Sequence, residues 1–526
     1  MTKKMHFIFN GSLLAVTSLL LRVTGLGFSA YISQTVGEEG TGILSLVNTV
    51  YGFGITLAVS GIFLACMRLC SAGIAKNDPD AVAVAMKKSF LHAAFFGFLA
   101  MGITCTCSAF LGTRFLGDVR TVDSIRILSF ALPMIALTTV TDSYFTAVGK
   151  VYKSAISDLV EQFFKIIFGI LFLKTALPFG LQASITAITK GNCIGEAAAF
   201  CASMILYYSD AKTFPVHKQN DNKKYDSLLR ISLPVAVSTY ARSGLVTLEH
   251  ALIPRGLQAF GANKTQALSS YGIIRGMALP IVLFPASILS AFTGLLIPTF
   301  AEDHVTNQTT AINRKTSLSM ELSAAYASVT ASVLFVFGED LGTVIYKNKR
   351  AGGFIRLFAP LIPFMYCDTT ADSILKGLDK QLYTMIVNII DALMSVLLTW
   401  QAIPRFGIKG YIFTVFMTEI MNFLCSAGKL VNLLKFTFHP SRALLLPSFI
   451  TTVGSVFFRA LCLRFSHANA LLTCIIGITS TLMLSLPAIM YLCFPAEAKQ
   501  LQNKLQKNIQ KKNSGIPFGD PAAESG

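Results

Sequence analysis

Apolar stretches long enough to cross a lipid bilayer recur along nearly the whole chain, and no other feature restricts its fold so severely. A helix needs roughly 20 apolar residues to cover about 30 Å of hydrocarbon. Stretches such as Ile43 to Met67 and Leu471 to Phe494 meet that length. Only α-helices and closed β-barrels satisfy every backbone N–H and C=O in hydrocarbon. Barrel strands alternate in polarity over about ten residues, and these stretches are too long and too uniformly apolar for that pattern. Charged residues are only 13% of the chain, against roughly a quarter in soluble domains, so the solvent for most of it is lipid. The fold class expected is an all-α polytopic membrane protein.

A first span is placed from about Phe7 to Tyr31. Lys3 and Lys4 precede it in the charge order of a signal sequence, but its length and the spans that follow predict a retained helix. Further spans are placed near 43–67, 88–111, 124–148, 154–174, 182–207, 229–252, 271–298, 318–338, 354–376, 382–401, 408–428, 443–464 and 471–494, about fourteen in all. The net charge of +17 is read through its placement between spans rather than as a sign of nucleic acid. With a cytoplasmic N-terminus, the inside segments collect Lys76, Lys87, Lys88, Lys150, Lys153, the cluster from Lys212 to Arg230, Arg314, Lys315, Lys376 and Lys380. The first outside loop holds Glu38 and Glu39 with no base, and the one clustered exception outside is Lys347, Lys349 and Arg350. The expected location is a plasma membrane, with both termini cytoplasmic.

The longest polar connection before the C-terminus divides the chain into two halves. The expected organisation is a six-helix bundle over 1–208, a basic cytoplasmic linker over 209–228, a second six-helix bundle over 229–430, two additional helices over 431–496, and a basic tail over 497–526 suited to anionic membrane lipids. A partial repeat connects the halves. Pro133, Asp142 and Ser143 recur as Pro363, Asp372 and Ser373, followed by Lys150 and Lys380, then by Glu161 and Asp391. Two similar bundles can rock about a central cavity, the physical basis of alternating access.

Charges inside apolar spans are costly, about 2.5–3.5 kcal/mol each on insertion scales, so they point to cavities or partners. Arg22 and Arg242 lie at mid-depth in the first and seventh spans, and Arg275 enters the eighth near its outer end. These three are the candidate substrate-binding residues, because a planar guanidinium contacts phosphate oxygens in pairs. Interfacial snorkelling is the competing reading for Arg275, and a fixed ion pair for Arg22. Glu161, Glu249 and Asp391 are candidate ion-coupling residues for a proton or sodium ion. Glu161 and Lys165, four apart, equally suit mutual neutralisation. Glu196 and Glu419 suit either ion binding or a polar bundle interior. The seven histidines show no metal-ligand spacing, the eleven cysteines read as small hydrophobes, and no metal or organic cofactor is expected. The chain carries no Walker loop, dinucleotide fingerprint or nucleophile elbow, so transport is favoured over catalysis.

The stretch LLLRVTGLGFSAYISQTVGEEGTGILSLVNTVYGFGITLAVSGIFLA resembles the start of the stage V sporulation protein B and polysaccharide-exporter family. That family belongs to the multidrug/oligosaccharidyl-lipid/polysaccharide (MOP) superfamily, together with the lipid II flippases. The Arg22-x-x-Gly25-x-Gly27 pattern, the Gly37-Glu-Glu-Gly40-Thr-Gly42 turn and Tyr51-Gly52 carry the likeness. The resemblance implies a fourteen-helix, V-shaped transporter of two pseudo-symmetric bundles that moves an undecaprenyl-linked saccharide or peptidoglycan precursor across the bacterial plasma membrane. It also implies an association with spore cortex or cell-envelope synthesis, with envelope-synthesis enzymes as partners. Under it, Arg22 matches a first-span cavity arginine of the lipid II flippases and Arg275 an eighth-span cation, while their second first-span arginine corresponds to Phe28. The rival readings are a cation-coupled multidrug exporter, whose cavity would be net acidic, and a non-transporting scaffold.

Overall fold

The computed structural model describes residues 3–59, 61–211, 226–465 and 470–494. Most of the expected basic linker and all of the expected tail therefore lie outside the described residues. In the first part of the chain the helices are α1 (Lys3–Val59), α2 (Ile62–Ala75), α3 (Pro79–Thr106), α4 (Ser108–Phe110), α5 (Val122–Ser129), α6 (Leu132–Val148), α7 (Tyr152–Ala176) and α8 (Leu181–Ala211). There follow α9 (Asp226–Ala259), α10 (Lys264–Gly272), α11 (Leu279–Leu283), α12 (Ala286–Val305), α13 (Thr309–Tyr346), α14 (Lys349–Phe358), α15 (Ile362–Gly377), α16 (Gln381–Phe406) and α17 (Ile408–Leu433). The last pair is α18 (Leu446–Phe465) and α19 (Ala470–Cys493). No strand occurs among the described residues.

Local chemistry sets many of the boundaries. Asp78 caps α3 by accepting from the Ala81 N–H at 2.9 Å, with Pro79 in the first turn where a missing N–H costs nothing. Asn263 and Gln266 form a reciprocal capping box at the start of α10. Asn348 caps α14 through the Ala351 N–H at 3.1 Å. Gly37, at φ 74°, divides α1 into two helical limbs, so the first two expected spans are joined by a kink rather than by a loop.

Several expected spans are broken. The 124–148 span is a pair of helices bent by 43° between Ser129 and Leu132, and the 271–298 span is bent by 55° between Leu283 and Ala286. Span 354–376 is interrupted by a tight turn at Ala359–Leu361. Pro133 and Pro363 each stand in the first turn of the helix after such an interruption, where proline is tolerated, and Pro285 stands at the 55° bend as the N-cap of α12. Among the described residues, seven helices are long and apolar enough to cross a membrane, or nine if each bent pair is one span. This count and the expected fourteen are not the same quantity, because the continuous run Val16–Ala75 counts once although it holds two expected spans, and because some long helices are too polar to be counted. α7 runs for 25 residues but carries Lys153, Asp158, Glu161, Lys165 and Lys174.

The partial sequence repeat coincides with a matching backbone course. α5 leads into α6, and α14 into α15, each across a break that precedes Pro133 or Pro363. Gly149 and Asp379, at the same offset from those prolines, both adopt left-handed φ values of 76° and 59°, and a further helix follows each. Core packing follows the same plan. One buried cluster joins α2, α3 and α6 through Ile62, Met86 and Phe145, and another joins α12, α13 and α15 through Phe300, Met320 and Ile374. The largest cluster lies between the halves, where Ile43, Leu46 and Val50 of α1 pack with Ile253, Leu268 and Tyr271 of α9 and α10. α18 and α19 dock on α13, with Arg459 bound to Asp340 at 2.7 Å and Gly477 set against the Phe337 ring.

Candidate functional site

The two halves meet through α1 and α2 on one side and α9, α10, α12, α13 and the segment after α10 on the other. At the end of the molecule holding Glu38 and Asp118, this contact is closed by charge and by backbone proximity. Glu38 accepts from Asn348 at 2.6 Å and from Arg350 at 3.2 Å. Glu39 accepts from Arg120 at 2.8 Å and from Thr265 at 3.3 Å, and Asp118 pairs with Arg120 and, at 3.5 Å, with Lys264. Burial alone would raise the Asp118 carboxyl, but hydrogen bonds from Arg120 and the nearby charges of Arg120 and Lys264 outweigh it and hold it below the ordinary aspartate value. The basic cluster Lys347–Arg350, an exception to the charge rule in the sequence, is thus partly accounted for by Glu38. Under this network Gly42 and Gly272 bring the two backbones into contact.

Between the halves lies a cavity of about 420 Å³. α1 contributes Ser29, Ser45, Asn48 and Tyr51, α7 and α8 contribute Gln162, Lys165 and Asn192, and the second half contributes Arg275, Gly276 and Pro280. Among the described residues, its charged lining consists of the cations Lys165 and Arg275. Gly25 of the sequence pattern opens space here, with Gln162 against its Cα side. Arg275 sits on a π-helical segment, Ile273–Ala278, the kind of widened turn that displaces a side chain from the regular helical track. Its guanidinium contacts His250 Nε2 and shares a pocket wall with Tyr411, while its buried Nε has no hydrogen-bond partner among the described residues.

A second, smaller pocket of about 160 Å³ lies inside the second half. Arg242, Glu249, Arg275, Asp391 and Glu419 line it, so carboxylates outnumber guanidiniums by one. Arg275 therefore forms part of both walls, whereas Arg242 is absent from the lining of the larger cavity. Glu249 and Asp391, the acidic candidates of this half, share the pocket with Arg242 but stand in no ion pair within 4.0 Å among the described residues. Arg22 is exposed on the first limb of α1, lines neither cavity, and lies within electrostatic reach of Tyr366 on α15. The structure thus brings Arg242 and Arg275 together and leaves Arg22 apart from them.

In the first half, Glu161 pairs with Lys165 at 3.7 Å, the i,i+4 neutralisation considered from sequence. Glu196 accepts from the Tyr51 hydroxyl at 3.3 Å. Asp142 keeps one buried carboxyl oxygen without a hydrogen-bond partner, as does Asp368 in the second half. Two residues at the site, Lys165 in the larger cavity's lining and His250 in contact with Arg275, are not singled out by the sequence. Lys165 was accounted for by its neighbour Glu161, and His250 had no metal-ligand spacing. The signal available for His250 was its position directly after Glu249 in an apolar span.

A sequence profile of the polysaccharide biosynthesis protein family matches residues 8–304. Stage V sporulation protein B of Bacillus subtilis (strain 168) is 21% identical over 415 residues, 77% of this chain and 80% of that protein. Lipid II flippase MurJ of the same organism is 21% identical over 443 residues, 78% of this chain and 80% of its own length. Among solved structures, lipid II flippase MurJ in an inward closed conformation superposes with a TM-score of 0.65 at 13% identity, covering 91% of this chain and 98% of that one. An inward-facing multidrug resistance MATE family transporter of the MOP superfamily gives 0.60 at 14% identity, covering 80% and 98%. These likenesses establish the fold, a two-bundle, multi-pass membrane architecture of the MOP type.

Proposed function

The chain belongs to the polysaccharide biosynthesis protein family, and from that membership we propose that it is a flippase for a polyprenyl-pyrophosphate-linked saccharide or peptidoglycan precursor, working by alternating access across the bacterial plasma membrane. The observation that carries this reading is the cavity between the halves, whose charged lining is cationic, Lys165 and Arg275. A pyrophosphate headgroup needs cations and hydrogen-bond donors to leave water, whereas its polyprenyl tail can remain in lipid. Gln162, Asn192, Asn48 and the two serines supply neutral polar contacts for a sugar. The names of the relatives support the substrate class. A link to spore cortex or other envelope synthesis, with envelope enzymes and anionic lipids as partners, rests on those names and on the basic tail composition.

In this reading the Glu38 end faces outward, the termini are cytoplasmic, and the conformation seen is closed to the outside. The halves are 1–208 and 229–430, with 431–496 as an added pair. Arg22 serves as an entry cation, since it is exposed and unpaired among the described residues. The smaller pocket is too confined for a headgroup, and its excess carboxylate suits neutralisation by a proton or sodium ion, with Glu249 and Asp391 as ligands and Glu161 acting similarly in the first half. A multidrug exporter of organic cations fits less well, because the larger cavity is cationic.

The test is binding and flipping of undecaprenyl pyrophosphate and lipid II by purified protein. A hydrogen bond to a charged group is worth about 1.5–3 kcal/mol, so Arg275→Ala and Lys165→Ala should each weaken binding by roughly 10- to 150-fold. Unchanged affinity and flipping in these variants and in Arg22→Ala would overturn the assignment.

A further inference from the structure

Arg275 is held by a chain of hydrogen bonds whose direction follows from chemistry. A guanidinium can only donate, so the His250 Nε2 it contacts must be the acceptor, and His250 is then the neutral tautomer with its proton on Nδ1. Nδ1 lies 2.7 Å from the Tyr271 hydroxyl and 3.1 Å from the Thr49 hydroxyl. Thr49 donates its own proton to the Ser45 carbonyl at 2.9 Å, so its oxygen is free to accept. The Nδ1–H therefore faces two hydroxyl oxygens that can accept, Tyr271 in the second half and Thr49 on α1. The sequence Arg275, His250, Tyr271, Thr49 and Ser45 is thus linked by Arg275 donating to His250 Nε2, His250 Nδ1–H facing Tyr271 and Thr49, and Thr49 donating to the Ser45 carbonyl. The first three belong to the second half and the last two to α1, so the chain crosses the joint between the halves. His250 is buried, 9% exposed, and Tyr271 is 1% exposed, so water does not readily replace these partners.

We propose that His250 is a positioning residue that fixes the Arg275 guanidinium on the wall shared by the two cavities, and that it does so through Thr49, so that the anion-binding cation is set in place only while α1 and α9 are in the contact seen here. This rests on the reading of the larger cavity as the anion site. When the halves rearrange, His250 loses Thr49 as an acceptor, the chain loses its anchor in the first half, and Arg275 becomes free to turn from one cavity toward the other. The same cation would then hold a phosphate in one state and release it in the next.

The test measures undecaprenyl pyrophosphate binding to full-length protein in nanodiscs as a double-mutant cycle. His250→Phe should weaken binding roughly tenfold, and the loss should vanish in an Arg275→Ala background. His250→Gln, which can accept from Arg275 and donate onward, should restore affinity to within about threefold of the parent. Thr49→Val, which touches neither Arg275 nor the cavity wall, should reproduce part of the His250→Phe loss. Thermal unfolding of each variant separates loss of fold from loss of the site, and His250→Gln keeps the inference open to refutation if His250→Phe does not fold. Additive losses, or a Gln variant as weak as Phe, would overturn the role of His250. An unaffected Thr49→Val would overturn its dependence on the first half. If Arg275→Ala itself binds normally, the anion site fails first, and that outcome is distinguishable from the others.

Discussion

Replacing Gly42 by alanine should force the closed end of the protein open. A Cβ built on Gly42 falls 2.1 Å from the Leu268 carbonyl oxygen and 2.9 Å from its carbon. At Gly272, on the facing helix, it falls 2.3 Å from the Glu38 oxygen and 2.5 Å from the Gly42 nitrogen. Ordinary C···O contacts begin at about 3.3 Å, so α1 and α10 must separate by about 1 Å. The obstructing atoms are backbone on both sides, and no side chain can swing away to absorb the overlap. Overpacking of this kind costs about 1–3 kcal/mol, and a cost of 2–3 kcal/mol shifts an equilibrium by roughly 30- to 150-fold. The penalty applies only where the two helices touch, so it destabilises the conformation seen here and spares one in which this end is open. Nitroxides on Thr113→Cys and Lys347→Cys, exposed positions in opposite halves, report the separation by double electron–electron resonance after the native cysteines are replaced. The distance distribution should move to longer values in Gly42→Ala and Gly272→Ala. Gly52→Ala is the control, since its Cβ meets nothing within 4 Å. An unchanged distribution in the first two variants, or an equal shift in the control, would refute the reasoning.

Two further perturbations act on the same end. Glu38→Gln leaves the Asn348 and Arg350 donors facing a neutral group and should raise the open population, but by less than the glycine variants, because Arg350 is well exposed and surface pairs are worth about 0–1 kcal/mol; the same spin-label pair measures it. Asp118 is held below the ordinary aspartate value of about 3.9, so its contribution is fully present above that pH and is lost as pH falls through the folded value. Acidification from pH 5 toward pH 3, as an order-of-magnitude window, should therefore loosen this end in the parent, and Asp118→Asn should remove that part of the response.

How much of this was legible in the sequence depends on whether a property is carried along the chain or around a helix. Length and polarity run along the chain, so the membrane class and the repeat could be anticipated, whereas the breaks before Pro133 and Pro363 fall inside stretches that read as single spans. The glycines at 37, 40 and 42 marked a special turn, and each has a different use: a kink, contact with Leu181, and a backbone crossing. The bend between Leu283 and Ala286 falls at Pro285, a residue able to interrupt a helix, inside a span whose apolar pattern runs on through it. Composition alone undercounts long helices, since polar faces that line a cavity reduce the hydropathy of helices such as α7.

Azimuth is the property that a single sequence withholds, and the site depends on it. Arg22 and Arg242 share an apolar context and a depth, yet one faces the region of Tyr366 and the other enters a pocket among carboxylates. Glu249, two turns beyond Arg242, lines that same pocket, so relations within one helix were readable while relations between helices were not. Arg275 was read near an outer end, where snorkelling was a sufficient explanation, because a regular helix gives no reason to turn it inward. The π-helical segment at Ile273–Ala278 supplies that reason, by shifting the residues it contains off the regular track. A guanidinium set into the wall between a cationic cavity and an acidic pocket is attracted by the carboxylates and by any phosphate on the other side. The occupancy of either space must then change the field felt in the other, a linkage that needs no long pathway because a single side chain borders both.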